Sequence, residues 1–150
     1  MSGYATPAVE QLNSMLEMIV GDYASASPVD GAAIETTHRA IYYDRSDGTV
    51  ASCSCDIGAA AGLGCALSMI PPAGCEDMVG SEELTGMAEA NLGEVMNIFS
   101  NLFMNDRSAH LRLAGVGTDV AGEIPDSGTD VAFALDLGRY GKGQLVFRHV

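Results

Sequence analysis

Basic residues are scarce in this 150-residue chain, and tryptophan is absent. Seven lysine and arginine residues, of which Lys142 is the one lysine, stand against twenty aspartate and glutamate residues, and the formal net charge is −13. A protein that binds the phosphate backbone of nucleic acids or an anionic membrane surface needs the opposite charge. The composition therefore excludes these partners and favours a partner that presents a basic patch.

Targeting signals and long apolar runs are also missing from the sequence. The apolar stretch 57–70 is interrupted by glycines and a serine, and it is too short to insert across a membrane. Residues 1–5 have neither the basic start nor the apolar core of a signal peptide. We expect a cytoplasmic protein whose four cysteines are reduced thiols.

Charged residues make up only 18% of the chain and hydrophobic residues 47%, a balance that excludes a disordered protein. A chain of this length buries about 68–70% of its unfolded surface around one core. We therefore interpret residues 1–150 as a single domain that needs no disulfide bonds.

The spacing of apolar residues predicts two helices in the first half of the chain. The first covers residues 6–20 and begins at Thr6-Pro7, where a capping hydroxyl precedes a proline. The second covers residues 58–70, consists of small residues and stops at a pair of prolines. Its Gly58 and Gly62 lie one turn apart, which would allow another element to approach closely.

A third, long helix is predicted in the second half. Ser81 is expected to cap its start, and Glu82 and Glu83 in the first turn favour the helix dipole. The apolar pattern then continues to about residue 104.

Five segments have β character, and a loop rich in Ser, Pro, Asp and Gly is expected to run to about residue 31. Asp47-Gly48 is a strong hairpin signal between the first two of these segments. Helices among antiparallel-looking strands predict an α+β domain, with an antiparallel or mixed sheet packed against two long helices and the short small-residue helix. The β segments are residues 34–43, 49–57, 109–116, 131–137 and 144–149.

The long helix has two distinct faces when residues are placed about 100° apart. Glu94, Asn97 and Asn101 fall within about 60° of one another on the face opposite the apolar one. Small residues flank this polar face, Ala90 among them, so another protein could approach closely. The apolar face contains Leu84, Ala88, Leu92, Val95, Met96, Phe99, Leu102 and Phe103.

The polar face has two interpretations. Polar residues opposite an apolar stripe usually form a solvated surface. Asparagine is a mediocre helix former, however, and glycine costs about 1 kcal/mol relative to alanine inside a helix. A face selected for solubility alone would more naturally contain Glu, Lys and Arg. A functional role is therefore the second interpretation of this face, next to a solvated surface.

The motif Glu94-x-x-Asn97-x-x-x-Asn101 resembles the Glu-x-x-Asn helix motif of the CheC/CheX/FliY phosphatases of bacterial chemotaxis. The order of elements is also similar over most of the chain: a first amphipathic helix, a β segment leading into a small-residue helix, the motif helix and then strands. The single motif is most similar to CheX, because CheC and FliY typically contain two.

The resemblance implies a phosphatase that hydrolyses the phosphoaspartate of a CheY-like response regulator. It implies that Asn97 orients the attacking water, as a glutamine does in some GTPases, and that Glu94 engages the regulator's active-site lysine. Asn101 is a weaker candidate for direct contact, and Met87 lies close enough to the Glu94 face to pad an interface. The implied Mg²⁺ belongs to the receiver, so this chain needs no cofactor of its own, and CheX-like members imply a homodimer.

One departure from the family supports a second hypothesis. Members with two motifs often have Ser or Asp one turn before the glutamate, and here that position is Ala90. A catalytically silent adaptor that binds a receiver or a flagellar-switch partner with the same surface is therefore the alternative function. A polar face that is only solvated is the third interpretation.

Other residues that could bind a metal or take part in catalysis lack the spacing of a known site. Cys53 and Cys55 alternate with polar residues on one strand, and paired Cys-x-x-Cys spacing is absent, which favours buried thiols over zinc ligands for all four cysteines. His38, His110 and His149 are scattered over separate β segments, as expected of structural histidines. The sequence contains no phosphate-binding glycine loop.

Overall fold

The computed structural model describes residues 3–30, 34–44, 48–106, 108, 110–118, 120 and 128–150. This part of the chain contains four α-helices, six β-strands and two short 3-10 turns, Ser100–Phe103 and Gly138–Tyr140. In chain order the elements are α1 (Val9–Ile19), β1 (Ser25–Val29), β2 (His38–Tyr43), β3 (Thr49–Cys55), α2 (Ile57–Leu67), α3 (Pro72–Ser81), α4 (Gly86–Phe99), β4 (Arg112–Gly117), β5 (Thr129–Asp136) and β6 (Lys142–His149).

The strands form one six-stranded sheet in the order β1-β5-β6-β3-β2-β4. Every neighbouring pair is antiparallel, which confirms the predicted α+β class and settles the choice between an antiparallel and a mixed sheet. β2 and β3 pair as the hairpin signal predicts, although Asp47 of the predicted turn lies outside the described residues.

The core lies between the sheet and a layer of helices. α1 packs on β1, α2 on β6, and α4 on β4. Alternate residues of β6 are buried, among them Leu145 and Phe147, while the residues between them are only partly covered. Because strand side chains alternate between the two faces of a sheet, this pattern places the helices on one face.

The two glycines of the small-residue helix α2 predict the close approach of another element, and the structure shows that this element is the last hairpin, where α2 packs on β6. A Cβ atom added at Gly58 would collide with the backbone oxygen of Lys142, and one added at Gly62 would lie 2.5 Å from Cδ1 of Leu137. Both glycines are therefore needed for the approach of this helix to the last hairpin.

Two predictions at the start of the chain are wrong. Thr6 does not cap the first helix: α1 begins at Val9 after Ala8, and the Thr6 hydroxyl lies 2.8 Å from Nε2 of His149. The expected loop contains β1, which pairs with β5 at the edge of the sheet. Pro28 interrupts the sequence pattern of this strand, but an edge position tolerates a proline.

The third predicted helix begins later than predicted, at Gly86, and an unpredicted helix, α3, precedes it. The proline pair that stops α2 also begins α3, because proline fits the first turn of a helix. Ser81 ends α3, with Glu82 in the left-handed conformation (φ 58°) as its C-cap. Glu82 and Glu83 therefore lie in the connection between two helices, and they do not form the first turn of the motif helix.

Candidate functional site

The candidate site lies on α4, which begins later than predicted. The Thr85 hydroxyl caps this helix by accepting a hydrogen bond from the backbone N–H of Ala88 at 3.3 Å. The predicted apolar face of the helix is buried, apart from Leu84, which is half-buried in the connection before it. The buried residues of α4 are Ala88, Leu92, Val95, Met96 and Phe99.

The opposite face of α4 is exposed, as the helical period predicts. Glu94 and Asn97 both lie there, with Ala90 one turn before Glu94 and Met87 two turns before it. Among the described residues, neither the Glu94 carboxylate nor the Asn97 carboxamide has a hydrogen-bond partner. Both groups can therefore bind an external partner without first breaking an internal bond.

Asn101 and Asn91 are placed differently from Asn97. Asn101 lies beyond the end of α4 in the 3-10 turn, and its side-chain nitrogen donates to the backbone oxygen of Ile98 at 3.1 Å. The Asn91 side chain donates to the backbone oxygen of Gly64 at 2.8 Å and to the Ser68 hydroxyl at 2.6 Å. Asn91 is thus a link between α4 and α2, which gives this asparagine a structural role in the helix.

The backbone of the site helix is bonded to the sheet beside Asn97. The hydroxyl of the buried Tyr42 on β2 donates to the backbone oxygen of Met96 at 2.5 Å. In a regular α-helix the backbone N–H of Ser100 would donate to this oxygen. Here the chain enters the 3-10 turn, and the N–H of Ser100 donates to the backbone oxygen of Asn97 instead. Burial raises the pKa of Tyr42 well above its usual value, so the hydroxyl stays protonated as the donor.

A pair of glycine substitutions is expected to change stability in opposite directions. An added Cβ at Gly64 of α2 would lie 2.6 Å from the backbone oxygen of Ala88, while one at Gly93 of α4 meets nothing within 4 Å. We expect Gly64→Ala to lower the free energy of unfolding by about 1–3 kcal/mol through overpacking. Gly93→Ala should raise it by up to about 1 kcal/mol, since alanine is the better helix former. Urea unfolding of the two variants measures both changes. A Gly64→Ala variant as stable as the wild type would contradict the close α2–α4 contact, and a loss of stability in Gly93→Ala would contradict the open space at Gly93.

The cysteines are buried free thiols, as predicted. Cys65 and Cys75 lie on α2 and α3, and Sγ of Cys65 is 3.9 Å from Sδ of Met78. Burial raises the pKa of Cys65 to about 12, which keeps the thiol protonated at neutral pH. Across the part of the chain that the structure describes, no three His, Cys, Asp or Glu side chains are grouped as metal ligands.

The histidines also have structural surroundings or face solvent. His38 and His149 are buried, and His110 is exposed. His149 bonds through both ring nitrogens, with Nδ1 2.7 Å from the backbone oxygen of Val150. Nδ1 therefore donates to that oxygen, and Nε2 accepts from the Thr6 hydroxyl.

Comparison with solved structures shows similarity to chemotaxis and flagellar proteins. No family model and no curated protein sequence matches this chain. The structure superposes on FliM in the FliM–SpeE complex from H. pylori with a TM-score of 0.62 and 10% identity, covering 94% of this chain and 80% of that one. For CheX from Vibrio vulnificus the TM-score is 0.56 at 14% identity, with 94% and 92% coverage. For the CheX–CheY–BeF₃–Mg²⁺ complex from Borrelia burgdorferi it is 0.56 at 15% identity, with 96% and 98% coverage.

The chain therefore has the CheC/CheX fold, which the middle domain of FliM also shares. The resemblance seen in the motif and in the order of elements is confirmed at the level of the fold. Among the described residues, no helix combines the length and the apolar character needed to cross a membrane.

One feature of the site surface was not predicted. A groove lies where α3 meets the connection to α4, and the exposed Met87 forms part of its lining. The sequence pattern does not reveal the groove, because the proline pair signals a helix stop and α3 is not predicted.

Proposed function

We propose that this protein is a phosphatase that hydrolyses the phosphoaspartate of a CheY-like response regulator in chemotaxis or two-component signalling. The observation that carries the proposal is the pair formed by Glu94 and Asn97. Both side chains are exposed on one face of α4 without an internal hydrogen-bond partner among the described residues, while the opposite face anchors the helix in the core.

The chemistry of the substrate suits this pair of residues. A phosphoaspartate is an acyl phosphate with a good leaving group, so its hydrolysis depends chiefly on the position of the attacking water. The Asn97 carboxamide can both donate to and accept from that water. The water oxygen forms a bond to phosphorus as the bond to the aspartyl oxygen breaks, and inorganic phosphate leaves.

Glu94 and the overall charge suit a receiver as partner. The Glu94 carboxylate can pair with the ammonium group of a lysine that the receiver presents, and this chain, with its charge of −13, has few cations of its own to compete. Mg²⁺ would be held by the receiver. The similarity in fold to the CheX–CheY–BeF₃–Mg²⁺ complex supports this choice of partner.

The surface around the pair leaves room for the partner. Ala90 is exposed and small, and Gly93 has open space where a side chain would be. A receiver can therefore approach the helix backbone closely enough for the short Glu94 and Asn97 side chains to enter its phosphorylation site.

The test is phosphate release from phosphorylated CheY-like receivers of the same genome. We expect the protein to accelerate release above the receiver's own rate for at least one of them. Absence of acceleration in every receiver, with the protein folded and in excess, would contradict the phosphatase proposal.

A silent adaptor is the second candidate, and the similarity to FliM favours it. The TM-score of 0.62 shows that this fold also occurs in a flagellar protein, and Ala90 departs from the family pattern at a position next to the pair. Binding to a phosphorylated receiver without faster release of phosphate would support the adaptor and exclude the phosphatase.

A further inference from the structure

The groove beside α3 has the dimensions of a site for one or two side chains. Its volume is about 430 Å³. Ile70, Met78 and Leu84 are its buried or half-buried apolar residues, and its exposed residues include Asp77, Glu83 and Met87. We refer to the cavity formed by these residues as the α3–α4 groove.

Met87 connects the α3–α4 groove to the proposed phosphatase site. Its side chain is 61% exposed, so a partner that covers the groove would bury apolar surface here. Met87 and Glu94 are seven residues apart on α4, and this spacing corresponds to about 10 Å along the same face of the helix. A protein that covers Glu94 and Asn97 can therefore also cover the groove.

The charges at the groove indicate what it would bind. Asp77 and Glu83 carry carboxylates at its exposed edge, and neither has an ion-pair partner among the described residues. The apolar interior favours an apolar side chain. The unpaired carboxylates favour a lysine or arginine beside it.

We propose that the α3–α4 groove is a second contact for the receiver, which binds an apolar side chain flanked by a basic one. This inference rests on the proposed function. In this arrangement the groove determines which receiver is bound and how tightly, while Glu94 and Asn97 act at the phosphoryl group.

The experiment measures binding and turnover separately with full-length protein. Binding is measured by calorimetry with CheY-like receivers loaded with BeF₃⁻ and Mg²⁺, and turnover by release of phosphate from the phosphorylated receivers. We expect Met87→Asp to raise both Kd and KM about tenfold and to leave kcat unchanged. The matched control is Met18→Asp on α1, because Met18 is 78% exposed and lies outside the groove. It should leave both constants unchanged.

A second variant tests the charge at the groove. Glu83→Lys should weaken binding and reduce its dependence on salt concentration, because the lost attraction to a basic side chain is screened by salt. Glu17→Lys on α1, which makes the same change in net charge at another exposed position, is its control.

The outcomes separate this inference from the proposed function. If Met87→Asp binds the loaded receiver as tightly as the wild type, or if Met18→Asp loses as much affinity, the groove assignment is wrong. If the wild type binds without accelerating phosphate release while Met87→Asp binds more weakly, the groove stands and the phosphatase proposal falls. If the wild type binds none of the receivers, both are wrong.

Discussion

Asn97→Ala is expected to lower the rate of phosphate release from a phosphorylated receiver by about 100-fold at saturating receiver. The methyl group of alanine cannot hold a water molecule in line with the bond to the aspartyl oxygen, so the receiver's own slow hydrolysis remains. Asn97 is exposed, and its side chain has no hydrogen-bond partner among the described residues. Stability should therefore change by less than about 0.5 kcal/mol.

Two neighbouring variants are the controls for this experiment. Asn101→Ala removes a carboxamide that bonds to Ile98 in the 3-10 turn, and it should leave most of the activity. Glu94→Ala should mainly raise KM, because the carboxylate is proposed to pair with the receiver and not with the water. A folded Asn97→Ala protein with full activity would remove the residue from the mechanism.

Phe147→Ala is expected to lower the free energy of unfolding by about 3–5 kcal/mol. Phe147 is fully buried on β6, an interior strand of the sheet. Its ring centroid lies 5.7 Å from those of Phe99 and Phe103 and 6.0 Å from that of Phe133. Truncation therefore removes three ring contacts at once and opens a cavity between the sheet and α4.

Thermal and urea unfolding measure this loss. A change of this size should lower Tm by roughly 6–20 °C, since each kcal/mol corresponds to about 2–4 °C in a domain of this length. Phe147→Leu keeps most of the volume and is expected to lose less than half as much. A loss below about 1 kcal/mol for the alanine variant would show that the ring cluster is not a central part of the core.

The helix that carries the candidate site was the most predictable part of the fold. Its apolar residues recur with the 3.6-residue period, and this period alone places Glu94, Asn97 and Met87 on the exposed face. The buried positions of Cys53 and Cys55 follow in the same way from the alternation of a strand. Patterns of this kind can be recognised in the sequence because all the residues that form them lie within one helix or strand.

The errors arose where the decisive contact lies elsewhere in the chain. The sequence of β1 has no alternation of apolar and polar residues. This segment is a strand because it pairs with the edge of β5. Ser81 has the chemistry of a helix start, but Glu82 in the left-handed conformation makes it a helix end. The α3–α4 groove depends on the relative placement of two helices, and the spacing within either helix carries no signal for it.

The hydrogen bond from Tyr42 to the Met96 carbonyl bears on the entropy of binding. It joins the sheet to the backbone between Glu94 and Asn97. The packing of the buried face of α4 in the core restrains the same turn of the helix. The site helix therefore meets its partner as a rigid, preorganised surface. Complex formation then has to order only side chains, at about 0.5–1.5 kcal/mol for each one immobilised, and the backbone torsions of the site are already fixed by folding.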